Sequence, residues 1–141
     1  MFQGEISHDQ MTRHLRTEDY SSSNLWRYVK ADVRKNQSSD GVLILDDTIS
    51  EKPYTDENSI NCWHFSHAKH RHVKGINLLS CLVRYGDVAL PIGYEIVKKD
   101  VEFCDVETKR KAQISKKEHF RNLVQLAVDN NVLFQHILAD S

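Results

Sequence analysis

Two adjacent carboxylates follow a short apolar run, and another carboxylate lies close to the last residue of the sequence. Asp46 and Asp47 come directly after residues 42–45, Val-Leu-Ile-Leu, and Asp140 comes directly after Ile-Leu-Ala. Carboxylate oxygens are the ligands that Mg²⁺ and other hard cations prefer. An Asp at the end of a strand also commonly caps the following turn. The positions of Asp46 and Asp47 alone are therefore compatible with a turn cap and with a metal site.

A strand–helix–strand order would bring Asp47 and Asp140 together. Residues 42–46 are predicted to form a buried strand, because a short apolar run follows a Ser-Ser-Asp-Gly turn. Residues 132–139 are predicted to form a second strand. If this strand lies parallel to the first, the C-terminal tips of the two strands are neighbours. Two carboxylates so close repel unless a cation or a proton lies between them. A shared Mg²⁺ or Mn²⁺ satisfies both, so we expect Asp47 and Asp140 to bind one of these cations.

The helix between these strands is the best defined element of the sequence. Ser115 and Glu118 have the spacing of a capping box at its start. An Asp-Asn-Asn segment, residues 129–131, stops it. Apolar residues at helical spacing form the face that we expect to be buried: Phe120, Leu123, Val124 and Ala127.

Two further strands are predicted between the first acids and this helix. Residues 75–85 and 88–97 carry apolar faces and flank a Gly-Asp dipeptide, which is a hairpin signal. Pro91 cannot donate a backbone hydrogen bond, which predicts that the second strand lies at a sheet edge. Residues 50–59 are polar and contain a proline, and we predict a loop there.

Residues 1–40 are predicted to form a small helical section. Ser7 and Gln10 have capping-box spacing, and Ile6 and Met11 have the spacing of a hydrophobic staple. A second helix follows three consecutive serines. Its apolar stripe is typical of core packing: Leu25, Trp26, Val29 and Val33.

Residues 62–74 concentrate histidines and basic side chains in a segment that we predict to be a loop. Lys69, Arg71 and Lys74 stand among aromatic residues, which suits contact with nucleic-acid phosphates. A merely solvated loop is the competing interpretation, as it is for the basic run at residues 109–111. Zinc is a weaker alternative, because no second ligand arm completes the candidate set: Cys62, His64, His67, His70 and His72.

The composition is that of an ordinary soluble protein. The 141 residues fit one domain, with 40% hydrophobic and 28% charged residues and a net charge of −1. No apolar run approaches the ~20 residues needed to span a bilayer, and no secretory signal is visible. Three widely spaced cysteines indicate a reducing cytoplasm and not a disulfide framework. Because the net charge is small, nucleic-acid binding would depend on local basic patches.

Three segments of the chain resemble bacterial insertion-sequence transposases of the DDE superfamily. Residues 43–58, from Leu-Ile-Leu-Asp-Asp-Thr to Thr-Asp-Glu-Asn, resemble the first catalytic segment of that family. Residues 62–79 are similar to the block that follows it, and residues 136–141 resemble the segment with the second catalytic acid. The resemblance covers nearly the whole chain. It implies a ribonuclease H-like fold and cut-and-paste DNA transposition with two divalent cations, Mg²⁺ or Mn²⁺.

The resemblance also assigns the acids. Asp140 matches the second catalytic acid, and Asp47, directly before Thr48, best matches the first. Asp46 is the reserve choice, because alternation along a strand allows only one of two neighbours to face the metals. The third acid of the family, a Glu on a later helix, has no counterpart in this sequence.

The resemblance divides the chain into a helical section, residues 1–40, and the first part of a ribonuclease H-like domain with an incomplete mixed sheet, residues 41–141. It implies DNA as the partner, both transposon ends and target, and a homodimer in the bacterial cytoplasm. With two of the three acids, we expect an N-terminal transposase fragment that is inactive alone. The alternative is a non-catalytic DNA-binding or regulatory remnant of a transposase.

Overall fold

A computed structural model describes residues 7–17, 20–99 and 112–139. These residues form three helices and one five-stranded mixed sheet, which confirms the α/β class and the helical start. No helix in these ranges is long and apolar enough to cross a membrane. In chain order the elements are α1 (His8–Thr17), α2 (Ser22–Asn36), β1 (Val42–Glu51), β2 (Asn61–Ser66), β3 (Arg71–Tyr85), β4 (Val88–Ile96), α3 (Lys116–Asp129) and β5 (His136–Ala139).

β1 lies inside the sheet, between β3 and β5. It pairs antiparallel with β3 along its whole length. Its first four residues pair parallel with β5, as the strand–helix–strand order predicted. Leu43 and Leu45 are buried in the same core cluster as Trp26 of α2 and Leu123 of α3. One face of β1 is therefore turned toward the helices.

β1 is longer than the sequence predicted. Its end was expected at residue 46, with a loop over residues 50–59, but the strand continues to Glu51. The extension forms because β3 is 15 residues long and offers Ile76 and Gly75 as partners for the last two residues of β1. The two adjacent acids therefore lie within a strand and not at its mouth.

Residues 62–74 do not form a loop, and this prediction was wrong. β2 and the first part of β3 form an antiparallel hairpin around a turn at residues 67–70. Cys62 and His64 are buried, whereas Trp63 and Phe65 are exposed. This alternation is typical of a half-buried strand, but a histidine at a buried position hides it from a pattern based on apolar residues.

The predicted hairpin of β3 and β4 is confirmed. The two strands pair antiparallel up to Tyr85 and Val88, on either side of the Gly-Asp turn. Pro91 lies in β4, which pairs with β3 alone among the described strands. The prediction that Pro91 marks an edge strand is therefore correct.

α2 and α3 pack against β4. The Ser22 hydroxyl of α2 donates to the Tyr94 carbonyl oxygen at 2.6 Å and accepts from the Tyr94 amide at 2.8 Å. A Cβ at Gly93 would lie 2.9 Å from Leu126 Cδ2 of α3, so glycine allows this close approach. Leu25 is half-buried outside the core cluster. The other residues of the predicted apolar stripes contribute to the core, fully or in part: Trp26, Val29, Val33, Phe120, Leu123, Val124 and Ala127.

The predicted helix starts are also present. The Ser7 amide donates to Gln10 Oε1 at 2.9 Å, and the Gln10 amide donates to Ser7 Oγ at 3.3 Å. The Glu118 amide donates to Ser115 Oγ at 3.2 Å. Each of these bonds satisfies an amide that a helix start leaves without a partner. Ile6, the other half of the predicted hydrophobic staple, lies outside the described residues.

β5 covers only the last four residues of the predicted strand at 132–139. The residues before it continue the end of α3, since the Val132 amide donates to the Ala127 carbonyl oxygen at 3.0 Å. Arg34 of α2 holds this end through the carbonyl oxygens of Asn130 and Asn131, each at 2.6 Å. Residues 132–135 therefore form the connection between α3 and β5 and not part of the strand.

Candidate functional site

An open cleft of about 650 Å³ lies where the second half of β1, the tip of the β2–β3 hairpin, the first turn of α3 and the end of β5 meet. Its described lining includes three carboxylates and three lysines. We call it the acid cleft, and its charged lining residues are Asp46, Asp47, Glu51, Lys69, Lys116 and Lys117.

Asp47 is the most firmly held acid of the cleft. Its side chain is 24% exposed, and one carboxylate oxygen accepts a hydrogen bond from Asn77 Nδ2 at 2.6 Å. Asn77 lies on β3 and is fully buried, so it fixes the orientation of the carboxylate. The other oxygen of Asp47 forms an ion pair with the ammonium group of Lys116. The Lys116 ammonium thus supplies a positive charge where a metal cation would otherwise neutralise Asp47.

Asp46 projects from the opposite face of β1, as strand alternation predicted. It is exposed, and its Oδ2 accepts a hydrogen bond from Thr48 Oγ1 at 2.9 Å. Both acids line the acid cleft, because the pairing of β1 with β5 ends at Leu45 and leaves the rest of that β1 edge uncovered by β5. The buried Asn77 makes Asp47 the better positioned of the two acids.

Asp140, the predicted partner of Asp47, lies outside the residues that the structure describes. Ala139, directly before it in the sequence, pairs with Leu45 and lines the acid cleft. The end of β5 therefore reaches the cleft that contains Asp46 and Asp47. Within the described ranges, no three His, Cys, Asp or Glu side chains are grouped as metal ligands would be.

Lys69 is the one predicted DNA-binding residue that lines the acid cleft. Its ammonium nitrogen lies 2.6 Å from Glu51 Oε1, and this hydrogen bond holds the pKa of the Glu51 carboxyl below its ordinary value. Arg71 is exposed at the start of β3, and Lys74 is half-buried opposite Trp63 on β2. The three basic residues thus lie on one hairpin, but they do not share one cavity.

Cys62 and His64 form a buried polar pair on β2. The Sγ–Nε2 distance is 3.4 Å, and His64 is 3% exposed. Burial lowers the pKa of His64 to about 4, and the positive charges of Lys99 and Lys116 act in the same direction. The ring is therefore neutral at pH 7. The other three candidate zinc ligands, His67, His70 and His72, are exposed. In the described part of the chain, the five candidates do not form one ligand set.

Sequence analysis missed three residues of or beside this cleft. Asn77 interrupts an apolar strand pattern, and a polar residue at a buried strand position was a signal that could have identified it. Phe65 lines the cleft from β2, but the loop prediction concealed its strand position. Lys116 is the first residue of α3, and no local pattern links it to an acid 69 positions away.

Among the described residues that line the acid cleft there are as many lysines as acids, so these six charged side chains sum to zero. Two of these lysines are paired with acids, Lys116 with Asp47 and Lys69 with Glu51. Carboxylate oxygens on a strand suit Mg²⁺ or Mn²⁺. A bound divalent cation would make the cleft positive and attractive to a phosphate group.

Comparison with known proteins returned no relative: no family model, no curated protein and no solved structure matches this chain. The interpretation of the acid cleft therefore rests on its own residues and their geometry.

Proposed function

We propose that this chain carries catalytic residues of a DDE-type DNA transposase with a ribonuclease H-like fold. The observation that supports this most is the parallel pairing of β1 with β5. Because of it, Ala139 reaches the cleft that contains Asp47, and Ala139 directly precedes Asp140. The mixed sheet with β1 inside it agrees with the fold that the resemblance implies.

In this proposal Asp47 and Asp140 bind Mg²⁺ or Mn²⁺, and Asp46 is the reserve ligand. The carboxylate donors fit such a hard cation. When bound, the cation supplies Lewis-acid activation of a water or a 3′-hydroxyl for attack on a phosphodiester. Asn77 holds one oxygen of Asp47 at 2.6 Å. The other oxygen becomes available when Lys116 moves away.

DNA is the proposed partner, as transposon end and as target. Lys69 and Lys117 line the cleft, and Arg71 is exposed on the same hairpin as Lys69. Lysine and arginine contacts to phosphates give affinity that falls as salt rises. Lys74, half-buried on β3, is the fourth proposed contact. A homodimer on paired DNA ends is the proposed assembly.

The test of catalysis is Mn²⁺-dependent nicking of a supercoiled plasmid, measured with a version of the protein that also supplies the third acid of the family. Asp47→Asn should abolish nicking and leave DNA binding intact. Asp87→Asn, at an exposed position in the β3–β4 turn, is the matched control and should nick like the parent. Equal nicking by Asp47→Asn and the parent contradicts the assignment.

A non-catalytic DNA-binding or regulatory remnant of a transposase is the second candidate. It is favoured by the ion pair of Lys116 that already neutralises Asp47. It predicts salt-sensitive binding of DNA by the 141-residue chain without cleavage in Mn²⁺. Absence of binding at low salt counts against it.

A further inference from the structure

An exposed aromatic side chain lies beside the acids. Phe65 of β2 is 41% exposed and lines the acid cleft together with Asp46 and Asp47. Its ring makes edge-to-face contacts with His67 and His72, with centroid distances of 5.1 and 5.4 Å. These contacts restrict the ring while much of it remains accessible, so Phe65 presents an oriented apolar surface at the cleft.

The exposed side of the β2–β3 hairpin carries two aromatic rings and a lysine. Trp63, which is 47% exposed, lies opposite Lys74, and Phe65 lies opposite His72. The two rings lie two positions apart on one strand, so they project from the same face about 7 Å apart. The Lys99 ammonium donates to the Trp63 carbonyl oxygen at 2.6 Å and adds another cation beside the hairpin.

Aromatic rings interleaved with cations are the chemistry that binds unpaired nucleotides. The base stacks on the ring, and the cations contact the phosphates. A closed duplex hides the faces of its bases in its own stack except at the two end pairs, so Phe65 has nothing to stack on along its length. The six described charged side chains of the cleft sum to zero, so without a bound cation they attract phosphates only weakly, and a base contact adds selectivity.

We propose that Phe65 stacks an unpaired nucleobase at the acid cleft, so that the cleft accepts single-stranded or frayed DNA in preference to closed duplex. This inference rests on the proposed function, because it names the form of DNA that reaches the acids. Trp63 provides the second stacking surface along the same strand. Lys69, at the hairpin tip, also lines the cleft and contacts the adjoining phosphate.

The test compares the binding of two labelled probes by the full chain in Mn²⁺ and low salt, followed by fluorescence anisotropy. One probe is single-stranded oligothymidine, and the other is the blunt duplex of the same length. The parent should prefer the single strand. Phe65→Leu keeps an apolar side chain but removes the ring, and it should weaken single-strand binding about tenfold with little effect on the duplex. Phe65→Trp should keep the preference.

Tyr54→Leu is the matched control, because Tyr54 is a fully exposed ring outside the cleft. It should bind both probes like the parent. Single-strand binding by Phe65→Leu equal to that of the parent overturns the inference, and so does an equal loss for both probes. If the parent binds the two probes equally, stacking fails while DNA binding stands. If the parent binds neither probe, the proposed function itself fails.

Discussion

Replacement of Lys116 tests whether its ammonium group competes with a metal for Asp47. Lys116 is the first residue of α3, where the helix dipole disfavours a cation, and its ion pair with Asp47 offsets this cost. Lys116→Met removes the charge and keeps an unbranched side chain with similar helix propensity. A divalent cation at Asp47 would then have no ammonium group to displace.

The magnitude follows from the exposure of the pair. The Lys116 side chain is 38% exposed and that of Asp47 is 24% exposed, so solvent screens their attraction. A pair in this position contributes about 1 kcal/mol. A metal that displaces Lys116 breaks this ion pair, so its binding free energy is less favourable by that amount. About 1.4 kcal/mol corresponds to a tenfold change in affinity. Lys116→Met should therefore lower the Kd for Mn²⁺ about fivefold.

The assay is a titration with Mn²⁺ in which the paramagnetic resonance signal reports the free ion. Lys117→Met is the matched control, because Lys117 lines the same cleft and no contact with Asp47 is seen. Lys117→Met should change the Kd for Mn²⁺ by less than about twofold, since a solvated charge without a direct contact is well screened. Unchanged or weaker Mn²⁺ binding by Lys116→Met refutes the competition, and shows that Lys116 instead helps to form the site.

Three further substitutions and one control test the framework around the cleft by urea unfolding. Leu43→Ala should lower the free energy of unfolding by about 3 kcal/mol, because Leu43 is fully buried, whereas Leu138→Ala, at a 60% exposed side chain, should cost less than about 0.5 kcal/mol. Gly75→Ala should cost about 2 kcal/mol, because its Cβ would clash with the Ser50 carbonyl oxygen, and a cost near zero would contradict this clash. His64→Gln should flatten the pH dependence of stability. The pKa of His64 is about 4 in the folded protein and near 6.5 in the unfolded chain, because the buried ring disfavours the charged form. The parent should therefore lose up to ~1.4 kcal/mol per pH unit as the pH falls through this window, and equal slopes for parent and variant would contradict this.

The elements with strong local signals were predictable from the sequence. The capping residues Ser7 and Ser115 identified two helix starts, and the Gly-Asp turn identified the β3–β4 hairpin. The parallel pairing of β1 with β5 followed from the order of elements. These features depend on short-range chemistry or on general rules of chain connection.

The features that escaped prediction depend on distant partners. The last residues of β1 are strand only because β3 is long enough to pair with them. β2 contains a buried His64, so its half-buried pattern did not resemble an apolar alternation. Lys116 meets Asp47 only after the sheet and α3 have packed, and no spacing in the sequence encodes that contact.

In the proposed site, Asp47 and Asp140 bind one divalent cation together. The most direct measurement is the Mn²⁺ affinity of four proteins: the parent chain, Asp47→Asn, Asp140→Asn and Asp46→Asn. Asp47→Asn and Asp140→Asn should each weaken Mn²⁺ binding at least about tenfold, since each removes a charged ligand, while Asp46→Asn should stay near the parent. Parent-like Mn²⁺ affinity in Asp47→Asn, or a loss of affinity confined to Asp46→Asn, would contradict the proposed site.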